Sequence, residues 1–233
     1  MLFNKITSVA IAVASIASGV TAFKYNRLSR NDSAMLIVDI QEGLFQLVHD
    51  IEPREFRHNI KAYSALGAFF DLPTVITTSA ETGPNGPVPP EILADHPKAP
   101  HIKRNGEVNA WDNEDFRNAV KATGKKQLIV AGITTDVCVA FISLSLREAG
   151  YEVFVVAEAS GTFDPPTAAL ANARMLDAGV NVLSWFAVAG ELMRDWRQAP
   201  GGVEHAMQWF SGWLPNFAAL FNSWVAVTTP QTA

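Results

Sequence analysis

The chain holds one cysteine, Cys138, at the end of the stretch Gly132-Ile133-Thr134-Thr135-Asp136-Val137 and at the start of a helical pattern. A thiol at a strand-to-helix turn sits near the positive end of the helix dipole, which favours the thiolate. Backbone N–H groups of the same turn can hold a developing oxyanion. The plainer reading is a small buried hydrophobe, which is what most lone cysteines are. Asp39 closes an apolar run and is either a turn or cap residue or a site carboxylate. Lys103 and Arg104 follow the short extended segment Pro100-His101-Ile102; they form either a solvated pair or a source of fixed positive charge. A thiol, a carboxylate and a cation brought together would suit nucleophilic attack on a carbonyl, with the carboxylate moving the proton.

Elements able to position such groups are legible along the chain. Ala34–Val38, Thr74–Thr78, Leu128–Ala131, Val153–Ala157 and Asn181–Trp185 are apolar or β-branched runs. Continuous runs of this kind suit strands buried on both faces. Helical patterns lie between them, over Phe56–Phe70, Asp115–Lys121, Val139–Leu146 and Thr167–Leu176, several ending at Gly124, Gly150 or Gly179. The alternation predicts an α/β fold, a three-layer doubly wound parallel sheet with helices on both faces. Ligands of such sheets bind beyond the C-terminal strand ends. That rule picks out Asp39, Thr78-Ser79 and Thr134–Cys138, with the breaker-rich stretch 83–90 expected as a surface loop near the rim.

Composition narrows the function classes. The 233 residues are 48% hydrophobic and 18% charged, with a formal charge of -5, which describes one globular domain with a real core. No basic run exists to neutralise phosphates, so nucleic acid is not expected as a partner. Residues 1–22 read as a signal peptide: Lys5 precedes an apolar or small run from Ile6 to Val20, and Val20-Thr21-Ala22 has cleavage-type spacing. Export to the periplasm or medium follows as the expectation. The alternatives are an uncleaved N-terminal anchor, or a cytoplasmic protein that starts downstream near Asn31.

The residues also carry a resemblance. Leu36-Ile37-Val38-Asp39-Ile40-Gln41, Lys103 to Trp111 and Gly132 to Val139 resemble the motifs of the isochorismatase-like cysteine hydrolases over about Leu28–Asp195. Pro84-Asn85-Gly86-Pro87, Asn109-Ala110-Trp111-Asp112-Asn113 and Ala159-Ser160-Gly161-Thr162-Phe163 look closer to the YcaC-like branch. The resemblance implies a catalytic triad of Asp39, Arg104 and Cys138, with Arg104 where typical members carry Lys. It also implies a cis peptide at Ile133–Thr134 and an oxyanion hole on the N–H groups of Thr134 and Cys138. Thr78, Asn109 and Trp111 are expected near the substrate pocket from their place at the rim. No cofactor is expected. No metal is expected either, since 78–90 lacks histidine and no zinc-type spacing occurs.

The domain boundaries follow as 28–198 for the hydrolase domain and 199–233 for a helical extension of it. The function expected is hydrolysis of a small-molecule amide or related acyl compound through a cysteine thioester. The alternative is a catalytically silent ligand-binding or scaffold homo-oligomer. Aromatic and aliphatic residues recur from Val203 to Val225 at three- and four-residue steps, interrupted by Pro215. They predict two short helices and a self-association surface that deletion of Val203–Ala233 would remove.

Overall fold

The structure, a computed structural model, describes residues 25–228; the apolar run expected as a signal peptide lies outside them. Six strands form one sheet: β1 (Ser33–Val38), β2 (Thr74–Ser79), β3 (His101–Arg104), β4 (Gln127–Gly132), β5 (Glu152–Val156) and β6 (Asn181–Leu183). Their order is β3-β2-β1-β4-β5-β6, and every pairing is parallel. Because successive side chains point to opposite faces, each apolar strand feeds two cores. Met35, Ile37, Ile129 and Phe154 pack with Phe56, Tyr63, Trp185 and Phe210 on one face. Leu36, Val38, Val130 and Val155 pack with Phe116, Val139, Leu146 and Met175 on the other.

The helices supply those partners. α1 (Pro53–Phe69) starts with Glu52 as cap and proline in its first turn, α3 (Glu114–Ala122) with Asn113, and α5 (Pro165–Asp177) with Asp164. Each cap side chain accepts a backbone N–H of the first turn, which would otherwise be unpaired. α4 (Ala140–Glu148) follows β4, and α6 (Trp185–Met193) follows β6.

Two expectations are corrected. β3 is a sixth strand, read from the sequence only as an extended segment: four residues with three basic side chains show no apolar alternation, and β3 pairs with β2 alone. The stretch 83–90 is turn and loop as expected up to Pro89, and Pro90 opens α2 (Pro90–Asp95). The last apolar run divides, since β6 ends at Leu183 and Trp185 opens α6.

At the C-terminus, α7 (Val203–Trp213) and α8 (Pro215–Thr228) are separate helices, broken at Pro215. α7 buries Ala206 and Phe210 in the core, whereas α8 buries none of its residues fully. Among the described residues, no helix is long and apolar enough to cross a membrane.

The sheet order decides where a site can form. The chain leaves β1 toward β2 and β3, then returns to the other side of β1 as β4. Connections diverge at this point and leave a crevice beyond the C-terminal ends of β1 and β4.

Candidate active site

Asp39 follows β1 immediately and takes a left-handed backbone with φ 52°. Aspartate tolerates this region better than most residues, and such backbones are held only where neighbours enforce them. Here its N–H donates to the Thr77 carbonyl at 2.9 Å, and the side chain is fully buried. Gly132 closes β4 beside it. A Cβ at this position would lie 1.9 Å from the Val38 carbonyl oxygen, so only glycine lets β4 end so close to β1. The next peptide, Ile133–Thr134, is cis.

The chain then forms a wide turn over Thr135–Val139 before α4 begins, with the Val139 N–H reaching back five residues to the Thr134 carbonyl at 3.0 Å. Cys138 lies in that turn. Its thiol lies beside the Asp39 carboxylate and the Thr134 backbone N–H, both of which act on its pKa. Among the described residues, the buried Asp39 Oδ2 has no hydrogen-bond partner, which leaves it free to accept a proton.

Arg104 comes from the end of β3, two strands away. Strands lie about 4.8 Å apart, so the two backbones stand roughly 10 Å apart and the long Arg104 side chain and the short Asp39 side chain close the gap together. On the way Nε donates to Thr77 Oγ1 at 2.9 Å, Nη1 donates to the Glu107 carbonyl, and Nη2 pairs with Asp39 Oδ1. Both side chains of the pair are fully buried. Lys103 points elsewhere, bridging to Glu81 at 2.7 Å from a largely exposed position. The alternation of side chains along β3 separates the two basic residues.

The electrostatics correct one expectation. Burial pushes the Cys138 thiol well above its ordinary pKa, and the charge of Asp39 and the hydrogen bond to it push the same way. The Thr134 N–H and the Arg104 guanidinium oppose this and lose. A thiol expected to be a ready thiolate is therefore a neutral donor at rest. Burial also raises the pKa of Asp39, against the attraction of Arg104 and its hydrogen bonds from Arg104 and Cys138.

A cavity of about 250 Å³ opens above these groups. Its walls are Leu44, Leu47, Ser79, Asn85, Val108, Ile133, Thr134, Val137 and Phe163, with Asp39 and Cys138 at the base. Thr78, Asn109 and Trp111 are not among them. Thr78 hydrogen-bonds Glu81, Asn109 bonds Ser145 and caps the following turn, and Trp111 packs edge-on against Tyr151. Their neighbours Ser79 and Val108 line the cavity instead. Sequence position located the rim but not which of two adjacent side chains faces it. Leu44, Leu47 and Phe163 are ordinary apolar residues in loops and turns, and no local pattern marked them.

The wall on the β2 side is held by Gln41. Its amide donates to the carbonyls of Ser79 at 3.0 Å and Gly86 at 2.6 Å, and its oxygen accepts the Ser79 N–H at 2.8 Å. Asn85 donates to the Ser79 carbonyl at 2.8 Å. Among the described residues, no group of three or more His, Cys, Asp or Glu side chains is gathered as a metal site would require.

Comparison with known proteins agrees with this architecture. The isochorismatase domain matches residues 33–186. The probable hydrolase YcaC of Escherichia coli is 52% identical over 204 residues, covering 88% of this chain and 97% of its own. Its crystal structure, described as an octameric hydrolase of unknown specificity, aligns with a TM-score of 0.85 over 88% of this chain and 100% of that one. YcaC of Pseudomonas aeruginosa, solved with hexane-2,5-diol and covalent acrylamide, is 53% identical, with a TM-score of 0.84 over 87% and 99% of the two chains. With a domain match over most of its length and half its residues shared with two YcaC proteins, the chain belongs to the isochorismatase-like hydrolase family.

Proposed function

We propose that this protein hydrolyses a small amide or related acyl compound through a thioester on Cys138. The observation that carries the reading is the Cys138 thiol beside the buried, Arg104-paired Asp39 carboxylate at the base of a cavity. A carboxylate whose pKa is raised toward the operating range is a better proton acceptor than an ordinary one. The thiol need not ionise beforehand, because its proton moves to Asp39 as the C–S bond forms.

In the first half-reaction the Cys138 sulfur attacks the carbonyl carbon, Asp39 takes the thiol proton, and the carbonyl oxygen becomes an oxyanion. The N–H groups of Thr134 and Cys138 are assigned to that oxyanion. The tetrahedral species collapses, the C–N bond breaks, and Asp39 returns the proton to the leaving amine. In the second, water attacks the thioester and gives one proton to Asp39; collapse releases the acid and restores the thiol. Arg104 stays charged throughout. Its role is to hold Asp39 in place and offset its charge, while Asp39 alone carries protons.

The Pseudomonas aeruginosa relative is described with covalent acrylamide, an amide held by a bond and not by contacts alone, which suits a nucleophile in this fold. A panel of simple amides, with ammonia or amine release as the readout, tests the reading. Turnover that disappears in Cys138→Ala supports it, and a protein inert across the panel that still binds small molecules is the silent ligand-binding protein. Arg104 in place of Lys and the high thiol pKa are what favour that second reading.

Self-association is proposed with it. The Escherichia coli relative is described as octameric, and α8 here exposes Leu220 and Trp224 at 66% and 57% without one charged residue in its length.

A further inference from the structure

The walls of the cavity define what class of molecule it accepts. Its one charged lining residue is Asp39, and that charge is already paired with a fully buried Arg104. Each guanidinium nitrogen already donates, to Thr77, to the Glu107 carbonyl or to Asp39, and the side chain is fully buried off the cavity wall, so this cation is not presented to a substrate carboxylate. Besides Cys138, the remaining walls are Leu44, Leu47, Val108, Ile133, Val137 and Phe163, with Ser79, Asn85 and Thr134 as neutral polar groups. A carboxylate entering here would lose its water and meet no cation on the wall. At about 250 Å³ the space also lies below the roughly 300–1,000 Å³ of drug-sized pockets.

We propose that the site takes compact, uncharged acyl compounds with a short aliphatic or small apolar acyl group, and discriminates against those that carry a carboxylate. The proposal rests on Cys138 as the reacting group. The apolar walls hold the acyl chain, and Ser79 and Asn85 are the groups available to the polar end. Val108 and Phe163, both about half exposed, form the mouth through which the substrate must pass.

Two isosteric alkylating agents test this without knowledge of the natural substrate. The rates at which iodoacetamide and iodoacetate label Cys138 in the native protein are measured at one pH, and each is divided by its rate with free cysteine. The ratio of these two values cancels the thiolate fraction, so the high thiol pKa does not enter. A preference for the neutral reagent of tenfold or more is expected. Val108→Lys, which adds a cation at the mouth, should shrink that preference at least threefold. Hydrolysis should follow the same order, with butyramide turned over at least a hundredfold better in kcat/KM than the monoamide of succinic acid.

Labelling of Cys138 without discrimination, within twofold of free cysteine, overturns the substrate class and leaves the nucleophile standing. Failure of both reagents to label the native protein, with normal labelling once unfolded, overturns the nucleophile and the substrate class together.

Discussion

Arg104 Nη2 meets Asp39 Oδ1 across the full width of β2, and both side chains are shut away from solvent. A buried ion pair of this kind gains little over a well-packed apolar pair, yet removal of one partner leaves a charge stranded in low dielectric. The pair is best understood as a device that keeps Asp39 aimed at Cys138. Arg104→Ala should therefore destabilise the protein by roughly 3–5 kcal/mol, the usual cost of breaking a buried pair. The loss should be smaller near pH 4–5 than at pH 8. Asp39 has a raised pKa in the folded state, so its protonated form is favoured on folding at low pH and that advantage fades as pH rises through the folded pKa. Without Arg104 the effect grows, since a protonated Asp39 needs no counter-charge. Urea titrations at the two pH values check this. Arg104→Lys keeps the charge but gives up the fork to Thr77 and Glu107, and should cost less than the alanine variant.

Cys138→Ala should abolish hydrolysis, with a loss of about 10³-fold or more in kcat, because among the described residues no other thiol lines the cavity beside Asp39. Stability should change by only about 1 kcal/mol, since the substitution removes one largely buried atom from a turn whose backbone bonds remain. Steady-state kinetics alongside thermal unfolding separates the two effects. A variant that keeps turnover removes the thioester mechanism.

Asp39→Asn should have opposite effects on two readouts. The carboxylate raises the thiol pKa by charge and by hydrogen bond, so its loss, with Arg104 left unpaired, should lower that pKa. Alkylation by iodoacetamide at neutral pH should then be several-fold faster than in the wild type. Hydrolysis should nevertheless be lost, because nothing remains to carry the proton to the leaving amine. In the wild type, the alkylation rate should still be climbing at pH 9 and above, where an ordinary cysteine near pKa 8.5 begins to level off. A plateau below pH 8 in the wild type would contradict the neutral thiol.

The self-association surface calls for point changes, not deletion. Removing residues from Val203 onward would take away Ala206 and Phe210, both at zero exposure, and loss of a buried phenylalanine costs about 3–5 kcal/mol. Leu220→Glu with Trp224→Glu places charge on α8 while leaving α7 in the core. Light scattering should report a smaller species than the wild type, with an unchanged circular dichroism spectrum. A wild-type protein that is monomeric at micromolar concentration removes the proposal.

The sequence by itself determined the class of fold and set Asp39 and Cys138 at strand ends, while the choice of Arg104 from the basic pair came from the family resemblance. Continuous apolar runs such as Ala34–Val38 and Leu128–Ala131 can be buried only in a sheet covered on both faces, and Asp39 and Cys138 stand just beyond two of them. What it could not decide was every property that depends on neighbours distant along the chain. β3 is a strand only because the edge of β2 offers it hydrogen-bond partners, and its register against Ser79 sends Arg104 inward and Lys103 out to Glu81. Alternation along β2 put Ser79, and the loop after β3 put Val108, on the cavity wall where Thr78 and Asn109 had been expected. The protonation of Cys138 turned on a contest between a helix-end turn, a guanidinium, a carboxylate and burial, and burial won. Local spacing reports the first of these contributors, whereas desolvation is a property of the packed interior and exists only once the chain has folded.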